Sequence, residues 1–344
     1  MSERDYRVVV LPGDGIGHEV TGAAVQVMLA ACSRHGVKMR LEEHACGAFH
    51  YRDTGEAISE VALKAVAEAD AVLFGAAGWP DIRDGMGIEI APQIDLRERF
   101  QLFAGLRPVR VFEGVPGPLA AARVDMLVIR EQTEGLFAGR HDAPGNDPDV
   151  AQDRMVVTRA GCERLFALAF EQARRRRRHV TLFDKANVLR SQALMRRVFD
   201  EVASRYPDVE AARLYIDNAA MLMVTDPGRF DVVVMENQFG DIVSEIAAGI
   251  GGGLGIAPSA DVGPGHAVFQ PSHGTAPDIA GKGVANPVGA ILSAAMLLEH
   301  LGEVGAAGAV RGAVETVLRD GPRTRDLGGA AGTRNVADAV ERAL

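Results

Sequence analysis

The sequence predicts an α/β fold, and three observations carry that reading. Short runs rich in Val, Leu and Phe, such as those within 6–11, 69–78 and 230–237, end in glycine, asparagine or aspartate, as buried strands do. Stretches of helical length with amphipathic spacing separate them, and such alternation builds sheets covered by helices. The chain's 344 residues, 47% of them hydrophobic, are enough for the cores of two domains of ordinary size.

The elements follow in order. YRVVVLPGDGIGHEV reads as a strand over about 6–11, a glycine turn, and a helix beginning near His18. ADAVLFGAAG (69–78) is a buried strand running into a second glycine turn, and VDMLVIRE (124–131) is another strand. Residues 138–158, rich in Gly, Pro, Asp and Asn, read as a loop or protruding hairpin. Thr158 is the expected N-cap of a helix over 159–178. HVTLFDKAN (179–187), RLYID (213–217) and FDVVVMEN (230–237) continue the strand series. The run Arg174 to Arg178 ends a helix, where cations complement the dipole and stay solvated.

Composition excludes several function classes. A formal net charge of −9 gives no general attraction for nucleic acid or an anionic membrane, so an anionic substrate must be held by local cations. Cys32, Cys46 and Cys162 lack metal-ligand spacing and cannot all pair within the chain. They are expected as buried free thiols in a reducing cytoplasm. No window reaches the ~20 apolar residues of a membrane span, and the start of the chain lacks an export signal.

The chemistry concentrates in two late segments, FGDIVSEIAAGIGGG (239–253) and HGTAPDIAGKGVANP (273–287). Asp241 and Glu245 are one helical turn apart, so they share a helix face, and carboxylate oxygens are the donors that Mg²⁺ or Mn²⁺ prefers. A solvated helix face is the commoner meaning of such a pair. Here it follows a buried strand directly, at the carboxyl edge where α/β sheets bind ligands. GDGIG (13–17) lacks the G-x-G-x-x-G spacing and reads as a tight strand-to-helix turn.

With VVLPGDGIGHEV (9–20), LRERFQLFAGLRPVR (96–110), IREQTEGLFAG (129–139), DKANVL (184–189) and YIDNAAMLMV (215–224), these segments resemble the β-decarboxylating dehydrogenases, the isocitrate and 3-isopropylmalate dehydrogenase family. The resemblance implies a two-domain fold of that family's type, not a Rossmann dinucleotide fold. It implies an interleaved division, with 1–99 and 252–344 forming the nucleotide-binding domain and 100–251 the dimerisation and substrate domain, its arm near 138–158. A homodimer with shared active sites is implied, and a tetramer stays open.

By the same resemblance, Arg97, Arg107 and Arg130 grip the carboxylates of a hydroxy-di- or tricarboxylate, a task for which a guanidinium's bidentate fork is suited. Gln93, Ile94, Phe137 and Asn187 complete the substrate site. Lys185 and Asp217 are lent across the interface, Lys185 to take the C2 hydroxyl proton and Asp217 to join Asp241 and Glu245 in holding Mg²⁺ or Mn²⁺. His273, Gly274, Thr275, Ala276 and Asn286 meet the cofactor. Asp278 favours NAD, since its carboxylate can accept from a free ribose but would repel a 2′-phosphate. The implied reaction is NAD-dependent oxidation and decarboxylation of a 3-substituted malate.

Three residues depart from the family pattern: Glu245 stands for aspartate, Gln270 for a glutamate near the nicotinamide, and Phe137 for the catalytic tyrosine. Phenylalanine has no proton to give. Gln93 with Ile94 matches neither the leucine pair of isopropylmalate enzymes nor the Ser and Asn of isocitrate enzymes. Tartrate, D-malate, isocitrate or a specialised alkylmalate are therefore alternative substrates. A non-catalytic regulatory subunit of an isocitrate dehydrogenase is a further alternative, against which Lys185, Asp217, Asp241 and the three arginines argue.

Overall fold

The computed structural model describes residues 5–119, 123–139, 142 and 149–344. The described residues form ten strands and eleven α-helices. The chain begins β1 (Asp5–Gly13), α1 (Gly17–His35), β2 (Lys38–Glu43), α2 (Ala48–Thr54), α3 (Glu60–Glu68), β3 (Ala71–Ala76) and α4 (Pro92–Arg99). The middle comprises β4 (Ala104–Arg110), β5 (Asp125–Glu131), α5 (Arg159–Arg174), β6 (His179–Asp184), α6 (Arg190–Ala203), β7 (Glu210–Tyr215), α7 (Ile216–Thr225), β8 (Val232–Met235) and α8 (Asn237–Gly251). It closes with β9 (Pro258–Val262), β10 (Ala267–Pro271), α9 (Val288–His300), α10 (Val304–Asp320) and α11 (Thr333–Ala343).

All ten strands join one sheet in the order β2-β1-β3-β10-β9-β4-β5-β8-β6-β7. Its first five strands come from residues 5–76 and 258–271, its last five from 104–235. Pairing is parallel on either side of a central antiparallel stretch, where β9 runs against both β10 and β4, and β4 against β5. Side chains alternate across the sheet. Val8 and Leu73 face a core with α1, α9 and α10, while Val9 and Phe74 face one with α3 and α4. Leu127 and Val234 pack under α5 and α6, and Val128 and Val233 under α7 and α8. Helices thus cover both faces.

The strands read from 6–11, 69–78, 124–131, 179–187 and 230–237 lie within a few residues of β1, β3, β5, β6 and β8. RLYID is corrected: β7 ends at Tyr215, and Asp217 sits in the first turn of α7. Thr158 caps α5 by accepting from Gly161 N, but the helix stops at Arg174 rather than 178. The arginine run is not simply solvated. Arg176 Nε donates to the fully buried Asp231 at 2.8 Å, and Arg177 Nη1 to Asp125 O at 2.8 Å, so the run staples α5 to the starts of β5 and β8. Of the arm over 138–158, residues 140–141 and 143–148 lie outside the described set; Gly135 and Val156 bridge its base. All three cysteines are buried free thiols. No helix among the described residues is long and apolar enough to cross a membrane.

Candidate active site

A cavity of about 350 Å³ opens between α4 and α8, and it gathers Gln93, Ile94, Arg97, Arg107, Arg130, Phe137, Asp241, Glu245, His273 and Gly274. Because strand residues alternate faces, Arg107 points here while its neighbours Leu106 and Pro108 line a second cavity of about 580 Å³ on the other face. That larger space holds none of the expected site residues.

The three arginines are 2–8% exposed. Arg97 Nε donates to Asp261 Oδ2 at 2.8 Å, and Arg107 Nη1 to Ser244 Oγ at 2.9 Å. Arg130 donates through Nε and Nη2 to Asn237 Oδ1, at 3.0 and 2.6 Å, and through Nη1 to Asp241. It can pass beneath α8 because residue 240 is glycine: a Cβ there would lie 2.6 Å from Arg130 Cγ. The Phe137 ring underlies the same guanidinium, 5.4 Å from Cζ to its centroid. Burial, and then the charge of Arg97, lowers the pKa of both Arg107 and Arg130, the latter to about 9. They remain cations at neutral pH, crowded and desolvated, a state that a bound anion relieves.

Asp241 and Glu245 face the arginines from α8, each side chain 47% exposed, with Glu245 Oε1 3.9 Å from Arg107 Nη1. Burial foremost, with a contribution from Asp241, raises the pKa of Glu245, although Arg107 opposes the shift. A divalent cation would reverse that penalty, and the all-oxygen pair suits Mg²⁺ or Mn²⁺. Among the described residues of one chain, no group of three His, Cys, Asp or Glu side chains converges as a metal site.

Lys185 and Asp217 do not join this cavity. They pair with each other, Nζ to Oδ1 at 2.6 Å, and that hydrogen bond holds the exposed Asp217 carboxyl below its usual range. The fully buried Asp184 fixes the turn that carries Lys185, accepting from Arg196 Nε and Nη2 at 2.7 Å each and from Ala186 N at 2.9 Å. Asn187 is exposed. Nearby apolar side chains also face solvent: Val188 is 68% exposed, Met221 54%, Val224 58% and Ile242 56%.

The segment after β10 is held by the GDGIG turn. Asp14, fully buried, accepts from the backbone N–H groups of Ala48, Phe49 and Gly78, and Ile16 N donates to Thr275 O at 2.9 Å. Ala276 adopts φ +41°, a left-handed conformation unusual outside glycine. Its carbonyl accepts from Ile279 N and Ala280 N at 3.1 Å each. Asp278 is exposed, and Lys282 Nζ donates to its carbonyl at 2.6 Å. Asn286 is occupied structurally, accepting from Val288 N at 3.1 Å and donating to Asp326 at 2.9 Å. The sequence reading missed Asp261, Asn237, Ser244 and Gly240. Only Gln270 signalled this neighbourhood, and its Nε2 donates to Asp261 Oδ2 at 3.0 Å.

A sequence model of the isocitrate/isopropylmalate dehydrogenase family matches residues 7–340. The chain is 45% identical over 331 residues to the 3-isopropylmalate dehydrogenase of Salinibacter ruber, covering 94% of this chain and 90% of that one. It is 42% identical over 342 residues to the enzyme of that name from Vibrio cholerae, covering 96% and 94%. The isocitrate dehydrogenase structure from Methylococcus capsulatus superposes with a TM-score of 0.91 at 36% identity, covering 98% of this chain and 99% of that one. The motifs, the fold and these likenesses agree, and the chain belongs to the isocitrate/isopropylmalate dehydrogenase family.

Proposed function

We propose that the protein oxidises and decarboxylates a 3-substituted malate resembling 3-isopropylmalate, with NAD and Mg²⁺ or Mn²⁺, as a homodimer. The observation carrying this reading is the convergence of buried Arg97, Arg107 and Arg130 with Asp241 and Glu245 on one cavity beside His273 and Gly274. The arginines bind and orient the two carboxylates. When bound, the divalent cation and NAD supply Lewis acidity and hydride acceptance. Asp241 and Glu245 hold the cation together with Asp217 of a second copy, which also brings Lys185 to take the C2 hydroxyl proton. A shared site accounts for a Lys185–Asp217 pair outside its own chain's cavity and for the exposed Val188, Met221, Val224 and Ile242 around it. Phe137 gives no proton, so either another group or a water supplies the last proton at C3, or some oxidised product leaves without losing CO₂.

One observation favours a second reading, a malate with a hydroxyl on C3 such as tartrate: Gln93 Oε1 is buried without a partner among the described residues. The test is NADH formation with Mn²⁺ across malate, tartrate, 3-isopropylmalate, isocitrate and homoisocitrate, repeated with NADP. The expected result is highest kcat/KM with 3-isopropylmalate and NAD. Tartrate ranking first would favour the second reading, equal use of NADP would overturn the role of Asp278, and turnover of none would overturn the activity.

A further inference from the structure

Behind the arginines lies a carboxylate that does not itself line the cavity. Asp261, on β9, is 1% exposed. Its Oδ2 accepts from Arg97 Nε and Gln270 Nε2, and its Oδ1 is buried without a partner among the described residues. Its backbone is fixed on both sides, opposite Gly105 of β4 and Val268 of β10, at the junction between the two halves of the sheet. Gln270 donates a hydrogen bond there without adding charge. Among the described residues, Arg97 has only its Nε engaged, so Asp261 sets the guanidinium plane and leaves the two Nη groups for a ligand.

Each buried carboxylate lowers the positive charge that the site presents to an anion. Arg97, Arg107 and Arg130 stand against Asp241 and Glu245 in the lining, with two further buried carboxylates behind them, Glu236 at the N-cap of α8 and Asp261 on β9. Of these two, Glu236 accepts from the backbone of Gln238 and Phe239, whereas Asp261 accepts from Arg97 itself. Lys185 and Asp217, arriving together from a second copy, change nothing. Without Asp261 the same cavity would be one charge more positive, which favours a trianion over a dianion.

We propose that Asp261 is a positioning and specificity-determining residue: it aims Arg97 and cancels one arginine charge, so that the site prefers a substrate with two carboxylates over one with three. This rests on the dehydrogenase reading and narrows its substrate to a malate with an uncharged C3 substituent. A buried charge within several ångströms of the ligand is worth on the order of tenfold in affinity or more at an effective dielectric constant of ~20.

The test uses Asp261→Asn, which keeps the side-chain shape and an acceptor for Arg97 while removing the charge. Two ratios are read in the full-length protein: kcat/KM for isocitrate over 3-isopropylmalate with Mn²⁺ and NAD, resolved into kcat and KM, and the calorimetric affinity for citrate over malate without metal or cofactor. Both should rise about tenfold, the first mainly through KM. Asp261→Ser, which removes the same charge with a smaller side chain, should also move both ratios up, and it decides the matter if Asp261→Asn does not fold. Unchanged ratios in a natively folded Asp261→Asn or Asp261→Ser protein would overturn the proposal. If the wild type turns over no hydroxy acid while the citrate-to-malate affinity ratio still shifts, the activity fails and the charge role of Asp261 stands.

Discussion

Residue 137 places an aromatic ring against Arg130 and supplies packing where the family pattern has a proton donor. Phe137→Tyr keeps the ring and adds a hydroxyl. It should raise the ratio of CO₂ to NADH, or kcat if decarboxylation limits turnover, up to the ~10²–10⁴-fold range of general acid catalysis. Labelled CO₂ counted alongside NADH absorbance decides this, and one-to-one stoichiometry with unchanged kcat would make residue 137 mechanistically silent. His273 carries a pH prediction. Burial holds its pKa below 6.5, so under that pH the unfolded chain binds a proton that the folded chain excludes. Its contribution to stability is therefore complete above 6.5 and is lost as pH falls toward the folded pKa. The drop in Tm between about pH 7.5 and 5 should be smaller for His273→Asn than for wild type. At this scale the arginines were legible because each lies in a motif of its own. Asp261 and Gly240 were not, because their roles exist only through Arg97 and Arg130, which are 164 and 110 positions away in sequence.

Among elements, α5 shows a local signal acting as read. Thr158 Oγ1 accepts from Gly161 N at 3.0 Å and donates to Glu134, so Thr158→Ala should cost about 1 kcal/mol, measured as a lower urea midpoint with unchanged m. The strands divide instructively. β3 is buried at all six residues and reads as an apolar run, as do β1, β5, β6 and β8. β2 is an edge strand of mixed KMRLEE, while β4 carries Arg107 and Pro108, and β9 carries Asp261. Hydrophobic patterning loses strands where a sheet turns polar side chains toward water or a ligand. The arginine run, exposed at four of its five residues as read, also makes contacts that the sequence hid, because its acceptors, Asp125, Phe230 O and Asp231, come together only in the folded chain.

At the level of the whole molecule, the separation of Lys185 from Asp241 makes assembly testable. Lys185→Ala and Asp241→Asn proteins should each be inactive and, once unfolded together and refolded, recover about a quarter of wild-type activity, because each statistically formed heterodimer has one intact site. No recovery in verified heterodimers would refute site sharing, and full activity in EDTA would refute the role of the metal. The halves of the sheet are joined by a ladder of three residue pairs, Ala104–Val262, Gly105–Asp261 and Leu106–Ala260. The cavity of about 580 Å³ lies against one face of this ladder, at Leu106, Ala260 and Val262, while Arg97 and Gln270 cover Asp261 on the other. A strand pair clamped by side chains above and below resists torsion, because twisting it must lift close-packed atoms apart. This one is clamped on the Asp261 side, so rotation of one half against the other must break the bonds from Arg97 and Gln270. Three residue pairs are thus all that hold β9 to β4, and the middle one places Asp261, and through it Arg97, on the joint between the halves.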